Sequence, residues 1–248
     1  MLPSIININD IKTTLKQHKN KVFKINYTET ELLCIAKLDI LINNTFSYFG
    51  DITNINPESF FEMIGNNNMK INKTLCKIVS KLAKAVCQGY EKNYAWIDIR
   101  VSMPTTDWDI PRWHMDGSFY ITEDKNQIQS KFVTVLRGAG TLMVNATKKE
   151  KEEYEKIMIE NRPKTKEDKE KFFKDHKNQM KLRIKQNKVF EKKKVKQLKN
   201  DEGLIFIVGN IDKALVHSEP PTHTNRIFIS ILPGTETQIL ELKKRWNR

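Results

Sequence analysis

Cysteine is scarce in this sequence, and it is arranged neither for cross-linking nor for zinc. The three cysteines, Cys34, Cys76 and Cys87, are odd in number and widely spaced, and no CxxC pair is present. Disulfide frameworks use even numbers of cysteines, and structural zinc sites use closely spaced pairs. The sequence therefore predicts three free thiols, which are typical of a protein kept in a reducing compartment.

Long apolar runs are missing as well. No stretch approaches the roughly 20 apolar residues that a membrane-spanning helix needs. The first ten residues, MLPSIININD, contain neither the basic segment nor the apolar segment of a secretory signal peptide. We therefore expect a soluble protein in the cytoplasm or the nucleus, with no membrane partner.

Positive charge is abundant, but its excess is confined to one segment. Of the formal net charge of +13, +10 lies in residues 148–199, where 20 Lys and Arg face 10 Asp and Glu. The rest of the chain carries about +3, an ordinary value for a soluble domain. Lysine outnumbers arginine 35 to 8. We attribute this bias to an AT-rich coding sequence, because selection for phosphate binding favours arginine.

Hydrophobic spacing predicts that residues 1–94 are mostly helical. Apolar residues recur along 29–49 and 71–89 in the pattern of buried helices. Pro57, followed by Glu58, fits the first turn of a further helix. We expect this region to pack on a β-rich core that begins at residue 95.

From residue 95 the apolar spacing changes to period two, which is typical of strands. Strand patterns lie at 95–103, 113–116, 118–122, 131–137, 141–145, 203–208, 214–217 and 226–232. Short strands separated by turn residues predict an antiparallel sandwich or barrel over 95–248, which a helix at 236–246 closes.

The charged segment 148–199 interrupts this core. Its mixed charges at helical spacing predict two or three inserted surface helices. The simplest interpretation of such a charge run is a solvated surface. A lid, or a docking surface for an acidic protein or for nucleic acid, is the alternative.

Three residues of the β-rich region have the chemistry of a metal site. His114 and Asp116 are two apart, so on a strand their side chains point to the same face. His217 follows on a later predicted strand. Two imidazoles and one carboxylate on one face of an octahedron leave positions open for oxygen and a co-substrate, which suits non-haem Fe(II). Zinc is more often held by three histidines, by histidine with cysteine, or by a helical HExxH motif.

The strand after His217 carries a second feature. Arg226, Phe228 and Ser230 share one face by period two. A guanidinium and a hydroxyl on one face can hold a carboxylate, whereas an arginine buried without such a partner would be costly. Arg100, on the polar face of the 95–103 strand, is a further candidate for the same pocket, with solvent exposure as the alternative.

Aromatic residues lie close to the first ligand pair in the sequence, at Trp108, Trp113 and Tyr120. We predict that Trp113 and Tyr120 line a substrate pocket. Ordinary packing in an aromatic core is the alternative.

In this order and spacing, the candidate residues resemble a known family, the Fe(II)/2-oxoglutarate-dependent dioxygenase superfamily. The residues that carry the resemblance are His114, Asp116, His217, Arg226 and Ser230. The resemblance covers roughly residues 95–235, with the 148–199 insert outside it. One position departs from the pattern: family members often have serine two residues after the arginine, where this chain has Phe228.

The resemblance implies an α+β fold with a double-stranded β-helix, or jelly-roll, core, N-terminal helices and a charged helical insertion. It implies Fe(II) bound by His114, Asp116 and His217, and the distal carboxylate of 2-oxoglutarate bound by Arg226 with Ser230. Such enzymes use O₂, decarboxylate 2-oxoglutarate to succinate, and hydroxylate or demethylate a C–H bond. The implied function is a hydroxylase or demethylase whose substrate the sequence does not identify.

Two other functions fit the same residues. A cupin-like non-haem iron oxygenase would keep the metal site and would not use 2-oxoglutarate. An inactive jelly-roll scaffold would bind nucleic acid or a partner protein through residues 148–199. Arg226 distinguishes the first alternative, because its replacement abolishes 2-oxoglutarate binding only if that co-substrate is used.

Overall fold

The fold consists of two antiparallel sheets and eight α-helices in the part of the chain that the computed structural model describes, residues 5–107, 109–121, 127–163 and 165–246. The larger sheet has, in spatial order, strands β1 (Lys21–Lys24), β7 (Glu202–Val208), β4 (Gln129–Arg137), β9 (Arg226–Gly234), β3 (Tyr94–Ser102) and β2 (Asn44–Asp51). The smaller sheet has β6 (Lys196–Gln197), β5 (Leu142–Val144) and β8 (Val216–Ser218). Helices and antiparallel sheets in one chain confirm the predicted α+β class.

Four helices precede the third strand and three fill the charged insert. The first four are α1 (Ile8–Lys16), α2 (Glu29–Lys37), α3 (Glu58–Met63) and α4 (Met69–Gly89), with a 3₁₀ turn at Ile52–Asn54. The insert forms α5 (Lys148–Glu160), α6 (Lys166–Lys174) and α7 (His176–Phe190), and α8 (Glu236–Arg245) follows the last strand. The predicted helices at 71–89 and 236–246 and the helical insert are therefore confirmed.

Helix α4 covers one face of the larger sheet. The Asn68 side chain caps it by accepting a hydrogen bond from the Ile71 N–H at 3.0 Å. Its buried stripe is Leu75, Ile78, Val79, Leu82 and Val86, at the three- and four-residue spacing of one helical face. The stripe belongs to the same core as isoleucines of β3 and β9, namely Ile97, Ile99, Ile227, Ile229 and Ile231. Because strand side chains alternate, the residues between these isoleucines face the other way.

The smaller sheet lies over that other face. Met143 of β5 packs with Val133 of β4 and with Leu204 and Phe206 of β7 in a second apolar cluster. The cluster fills only one part of the space between the sheets. The remaining space is a cavity of about 920 Å³.

The prediction of one helix over 29–49 is wrong. Helix α2 ends at Lys37, and β2 pairs with β3 along its whole length, from Asn44 opposite Val101 to Asp51 opposite Tyr94. Leu41, which counted toward the helical stripe, is 52% exposed. The backbone hydrogen bonds offered by β3 outweigh local helical spacing here, because the pairing extends over all eight residues of β2.

Residues 1–94 therefore contribute strands as well as helices. Strands β1 and β2 form the two edges of the larger sheet, and β1 pairs with β7. A boundary between an N-terminal region and a core at residue 94 remains a prediction.

The strands predicted at 113–116 and 118–122 are also wrong, as far as these residues are described. Only a single bridge forms in the first segment, and 118–121 has no strand, while Thr122 lies outside the described residues. The Gln129 side chain supplies the missing partners: it accepts from the N–H groups of Phe119 and Tyr120, both at 2.9 Å, and donates to the Tyr120 carbonyl at 2.8 Å. A side-chain amide thus replaces a strand ladder.

The other strand predictions match the structure. Predicted strands 95–103, 131–137, 141–145, 203–208, 214–217 and 226–232 correspond to β3, β4, β5, β7, β8 and β9. The three cysteines are free. Among the described residues, no helix combines the length and the apolar character needed to cross a membrane. A cytoplasmic or nuclear location remains a prediction.

Replacing Leu75 with alanine is expected to lower the free energy of unfolding by about 2–5 kcal/mol, since its side chain is fully buried in α4. Leu33→Ala on α2 is the matched control, because that leucine is 55% exposed and its loss should cost no more than about 0.5 kcal/mol. Urea unfolding followed by circular dichroism measures both. Equal losses would contradict the exposed position of Leu33 and favour a helix buried on all sides.

Candidate metal centre and its cavity

The three predicted metal ligands meet in the cavity between the sheets. His114 and His217 are joined by a backbone bridge, in which each N–H donates to the other's carbonyl, at 2.9 and 3.0 Å. Their ring centroids are 4.2 Å apart. One ligand atom from each of His114, Asp116 and His217 lies within 4.8 Å of the other two. The structure thus brings together residues that are about one hundred positions apart in the sequence.

Both imidazoles are oriented for metal binding by their own backbone. The Nδ1 atom of His114 lies 2.8 Å from the Arg112 carbonyl, and that of His217 lies 3.1 Å from the Leu215 carbonyl. A carbonyl only accepts, so each Nδ1 carries the proton and each Nε2 keeps its lone pair. These Nε2 atoms lie 3.7 and 3.8 Å from the two Asp116 carboxylate oxygens. Three lone-pair donors therefore converge on one point.

The protonation states also suit a divalent cation. Desolvation, reinforced by His114, lowers the pKa of His217 to about 3. Desolvation lowers the pKa of His114 too, against the opposing charge of Asp116. Desolvation would raise the pKa of Asp116, but Lys131 and then the two histidines bring it to about 2. At neutral pH the site holds two neutral imidazoles and one carboxylate, the forms that bind metal.

Lys131 is a member of the site that sequence reasoning missed. It extends from β4, and its Nζ forms an ion pair with Asp116 Oδ2 at 2.5 Å. The ammonium also lies 5.3 Å from the ring centroids of Phe119 and Phe206. One lysine among 35 gives no signal in the sequence. A divalent ion bound by the three ligands would share Asp116 with this ammonium or displace it.

Arg226 lies in the same cavity with part of its guanidinium unused. The residue is 4% exposed, its Nε donates to the Ala139 carbonyl at 2.9 Å, and its guanidinium lies 4.9 Å from the Phe228 ring centroid. Its Nη2 is buried and has no hydrogen-bond partner among the described residues. A buried N–H without an acceptor is costly. The group therefore fits an incoming carboxylate.

The face predicted for β9 is the face observed. Arg226, Phe228 and Ser230 all line the cavity, while the isoleucines between them face α4. Arg100 pairs with Phe228 in the strand register and also lines the cavity. Its guanidinium has acidic partners, since Nε donates to Asp98 at 2.7 Å and Nη1 lies 3.6 Å from Glu219.

The two aromatic predictions come out differently. Trp113 lines the cavity, and its indole N–H donates to Asn187 of α7 at 3.0 Å. Tyr120 is outside the residues that line this cavity: its hydroxyl donates to the Pro233 carbonyl at 2.7 Å, and its ring packs in an aromatic core. The neighbouring residue, Phe119, faces the cavity instead. Trp108 lies outside the described residues.

The charged insert forms one wall of the cavity. Its contributing residues include Tyr154, Met158, Arg162, Phe172, Arg183 and Gln186. Helix α7 is tied to the segment before the metal ligands by Arg183, which donates to the Ile110 carbonyl at 3.1 Å, and by Asn187, which donates to the Pro111 carbonyl at 2.9 Å. The interpretation of the insert as a solvated surface is thus incomplete, because its inner side lines the site.

Neither a known protein family nor a curated protein matches this sequence. Many solved structures show a distant similarity, among them these three. A prolyl-4-hydroxylase from Pseudomonas putida has a TM-score of 0.40 and 9% identity, covering 92% of this chain and 99% of that one. A dioxygenase for auxin oxidation from Arabidopsis thaliana, in complex with 2-oxoglutarate, has a TM-score of 0.35 and 7% identity, covering 91% of this chain and 76% of that one. A prolyl hydroxylase from Trichoplax adhaerens, in complex with a hypoxia inducible factor peptide fragment, has a TM-score of 0.37 and 10% identity, covering 94% of this chain and 91% of that one.

Lys131→Met is expected to increase the affinity for Mn(II) about tenfold, because it removes a cation beside the bound ion and leaves Asp116 to the metal. Lys188→Met removes the same charge from an exposed position on α7 and should leave the affinity unchanged. Titration of the metal-free protein against a competing chelator measures both. Weaker binding by Lys131→Met would instead mean that the lysine holds Asp116 in place for the metal.

Proposed function

We propose that this chain is a non-haem Fe(II)- and 2-oxoglutarate-dependent oxygenase, a hydroxylase or demethylase. The observation that carries the proposal is the convergence of His114, Asp116 and His217 within 4.8 Å inside a large cavity. Two imidazoles and one carboxylate form the donor set that leaves metal positions open for a co-substrate and oxygen. The unpartnered guanidinium atom of Arg226 in the same cavity supplies the second half of the site.

The proposal includes a double-stranded β-helix for the two sheets. From β4 onward the chain passes between them: β4 lies in the larger sheet, β5 and β6 in the smaller, β7 in the larger, β8 in the smaller and β9 in the larger. The bridge between His114 and His217 adds a short pairing beside β8. This alternation supports a jelly-roll core.

When bound, iron and 2-oxoglutarate would supply, together with O₂, the oxidation of a substrate C–H bond: one oxygen atom of O₂ would enter the substrate and the other would enter succinate, as 2-oxoglutarate loses CO₂. The residues of the chain bind and orient. Arg226 takes the distal carboxylate through Nη2, and Ser230 on the same face supplies a hydroxyl. Phe228 lies between them and packs on the guanidinium at 4.9 Å, so a ring occupies the position where a serine was expected.

Anaerobic Fe(II) and 2-oxoglutarate should give a visible metal-to-ligand charge-transfer band with the wild-type chain, because the co-substrate would bind to the iron through two oxygens. His114→Ala should lose the band, since only two protein ligands remain. His223→Ala is the control, because that histidine is exposed and lies outside the residues that line the cavity. The absence of the band in the wild-type chain, or an unchanged band in His114→Ala, would contradict the proposal.

Arg226→Lys is expected to weaken 2-oxoglutarate binding at least about tenfold, because one ammonium replaces a fork of donors aimed at a carboxylate. Affinity for Mn(II) should not change, as Arg226 is not a metal ligand. Arg137→Lys, at the end of β4 and outside the residues that line the cavity, is the matched control. Unchanged 2-oxoglutarate affinity in Arg226→Lys would favour an iron oxygenase that does not use this co-substrate.

A further inference from the structure

Arginine is rare in this chain, and the cavity contains most of it. Lysine outnumbers arginine 35 to 8. Among the described residues, the cavity is nevertheless lined by a single lysine and by five arginines: Arg100, Arg112, Arg162, Arg183 and Arg226. Elsewhere lysine supplies nearly all the positive charge. The cavity therefore selects the planar guanidinium, which binds carboxylate and phosphate through paired hydrogen bonds.

These cations outnumber the carboxylates around them. Six positive side chains share three acids, of which Asp116 belongs to the metal centre and Asp98 is paired with Arg100 at 2.7 Å. That leaves Glu219, whose two oxygens lie 3.6 Å from Arg100 and 3.6 Å from Arg112. Binding of Fe(II) and 2-oxoglutarate would not change the net charge of the cavity, because the two positive charges of Fe(II) offset the two carboxylates of 2-oxoglutarate.

Two of these arginines, Arg162 and Arg183, come from the insert. Arg183 of α7 is held by the Ile110 carbonyl, and its pKa is lowered to about 10 by desolvation and then by the nearby charge of Arg112. Arg162 lies just after α5 and is exposed. The charges of Arg183 and Arg112 repel each other, so an anion bound between these two guanidiniums would stabilise both.

We propose that the outer part of the cavity binds a carboxylate or phosphate group of the substrate through Arg112, Arg162 and Arg183, so that the substrate is an organic anion. This inference rests on the proposed function, since it names the substrate class of the same site. Met158 and Phe172 of the insert line the cavity too and provide an apolar surface for the rest of the molecule. The charged insert thereby acquires a role in substrate recognition.

Phenyl phosphate and phenylacetate are suitable probes, and calorimetric titration of the metal-free full chain measures their binding. Arg183→Gln and Arg162→Gln should each weaken the tighter-binding probe at least about tenfold, the usual loss for a charge-assisted hydrogen bond. Lys188→Gln removes the same charge from the solvent side of α7 and should leave the affinity for the probe unchanged. The preferred probe tells a phosphate from a carboxylate substrate.

Several results would overturn the proposal. The first is that neither probe binds saturably, and the second is that Arg183→Gln, Arg162→Gln and Lys188→Gln lose equal affinity for the probe. The third is that only Arg226→Lys loses affinity, which would place the probe in the co-substrate site. Single-stranded oligonucleotide binding that Lys188→Gln weakens as much as Arg183→Gln would move the anion surface to the outside of the insert, and would overturn the proposal too. Arg162 is exposed, so its variant remains informative if Arg183→Gln fails to fold.

The two proposals fail separately. The probe titrations use protein without metal, so they do not depend on the charge-transfer band. A charge-transfer band without probe binding would support the oxygenase proposal and refute the proposal of an anionic substrate. Probe binding that requires Arg183, without a charge-transfer band, would support an anion-binding cavity and refute the oxygenase proposal.

Discussion

Two hydrogen bonds between the backbones of His114 and His217 hold the candidate site together. They join a segment that has no strand of its own to β8, and they set the two rings 4.2 Å apart. The same pairing leaves each Nδ1 facing a carbonyl two residues back, so both Nε2 atoms point toward Asp116. Without this bridge the chain would have metal-ligand chemistry in the sequence and no metal site in space.

The larger sheet serves two purposes. Strand β9 places Ile227, Ile229 and Ile231 against α4 and places Arg226 and Ser230 in the cavity. Period two makes this division strict, because a shift of one residue would bury the polar set and expose the apolar one. The packing that stabilises the fold thus fixes the register of the groups that line the cavity.

Charge then follows from burial. The cavity is formed by the two sheets on one side and by the insert on the other, and desolvation within it keeps both histidines neutral. Lys131 keeps Asp116 ionised. The insert adds Arg162 and Arg183 to the positive lining of this cavity. The three candidate ligands, Arg226 and the insert arginines therefore line one cavity and act on one another electrostatically.

Local spacing by itself determined strands β3, β4, β5, β7, β8 and β9, the helix α4, and the common face of Arg226 and Ser230, because each depends only on the period of its own element. Tertiary structure decided the rest. Pairing with β3 turned part of a predicted helix into β2, and packing in an aromatic core, with a hydrogen bond to the Pro233 carbonyl, placed Tyr120 outside the cavity lining. Lys131 and the insert arginines became part of the site through contacts between segments far apart in the chain, and such contacts leave no period in a sequence.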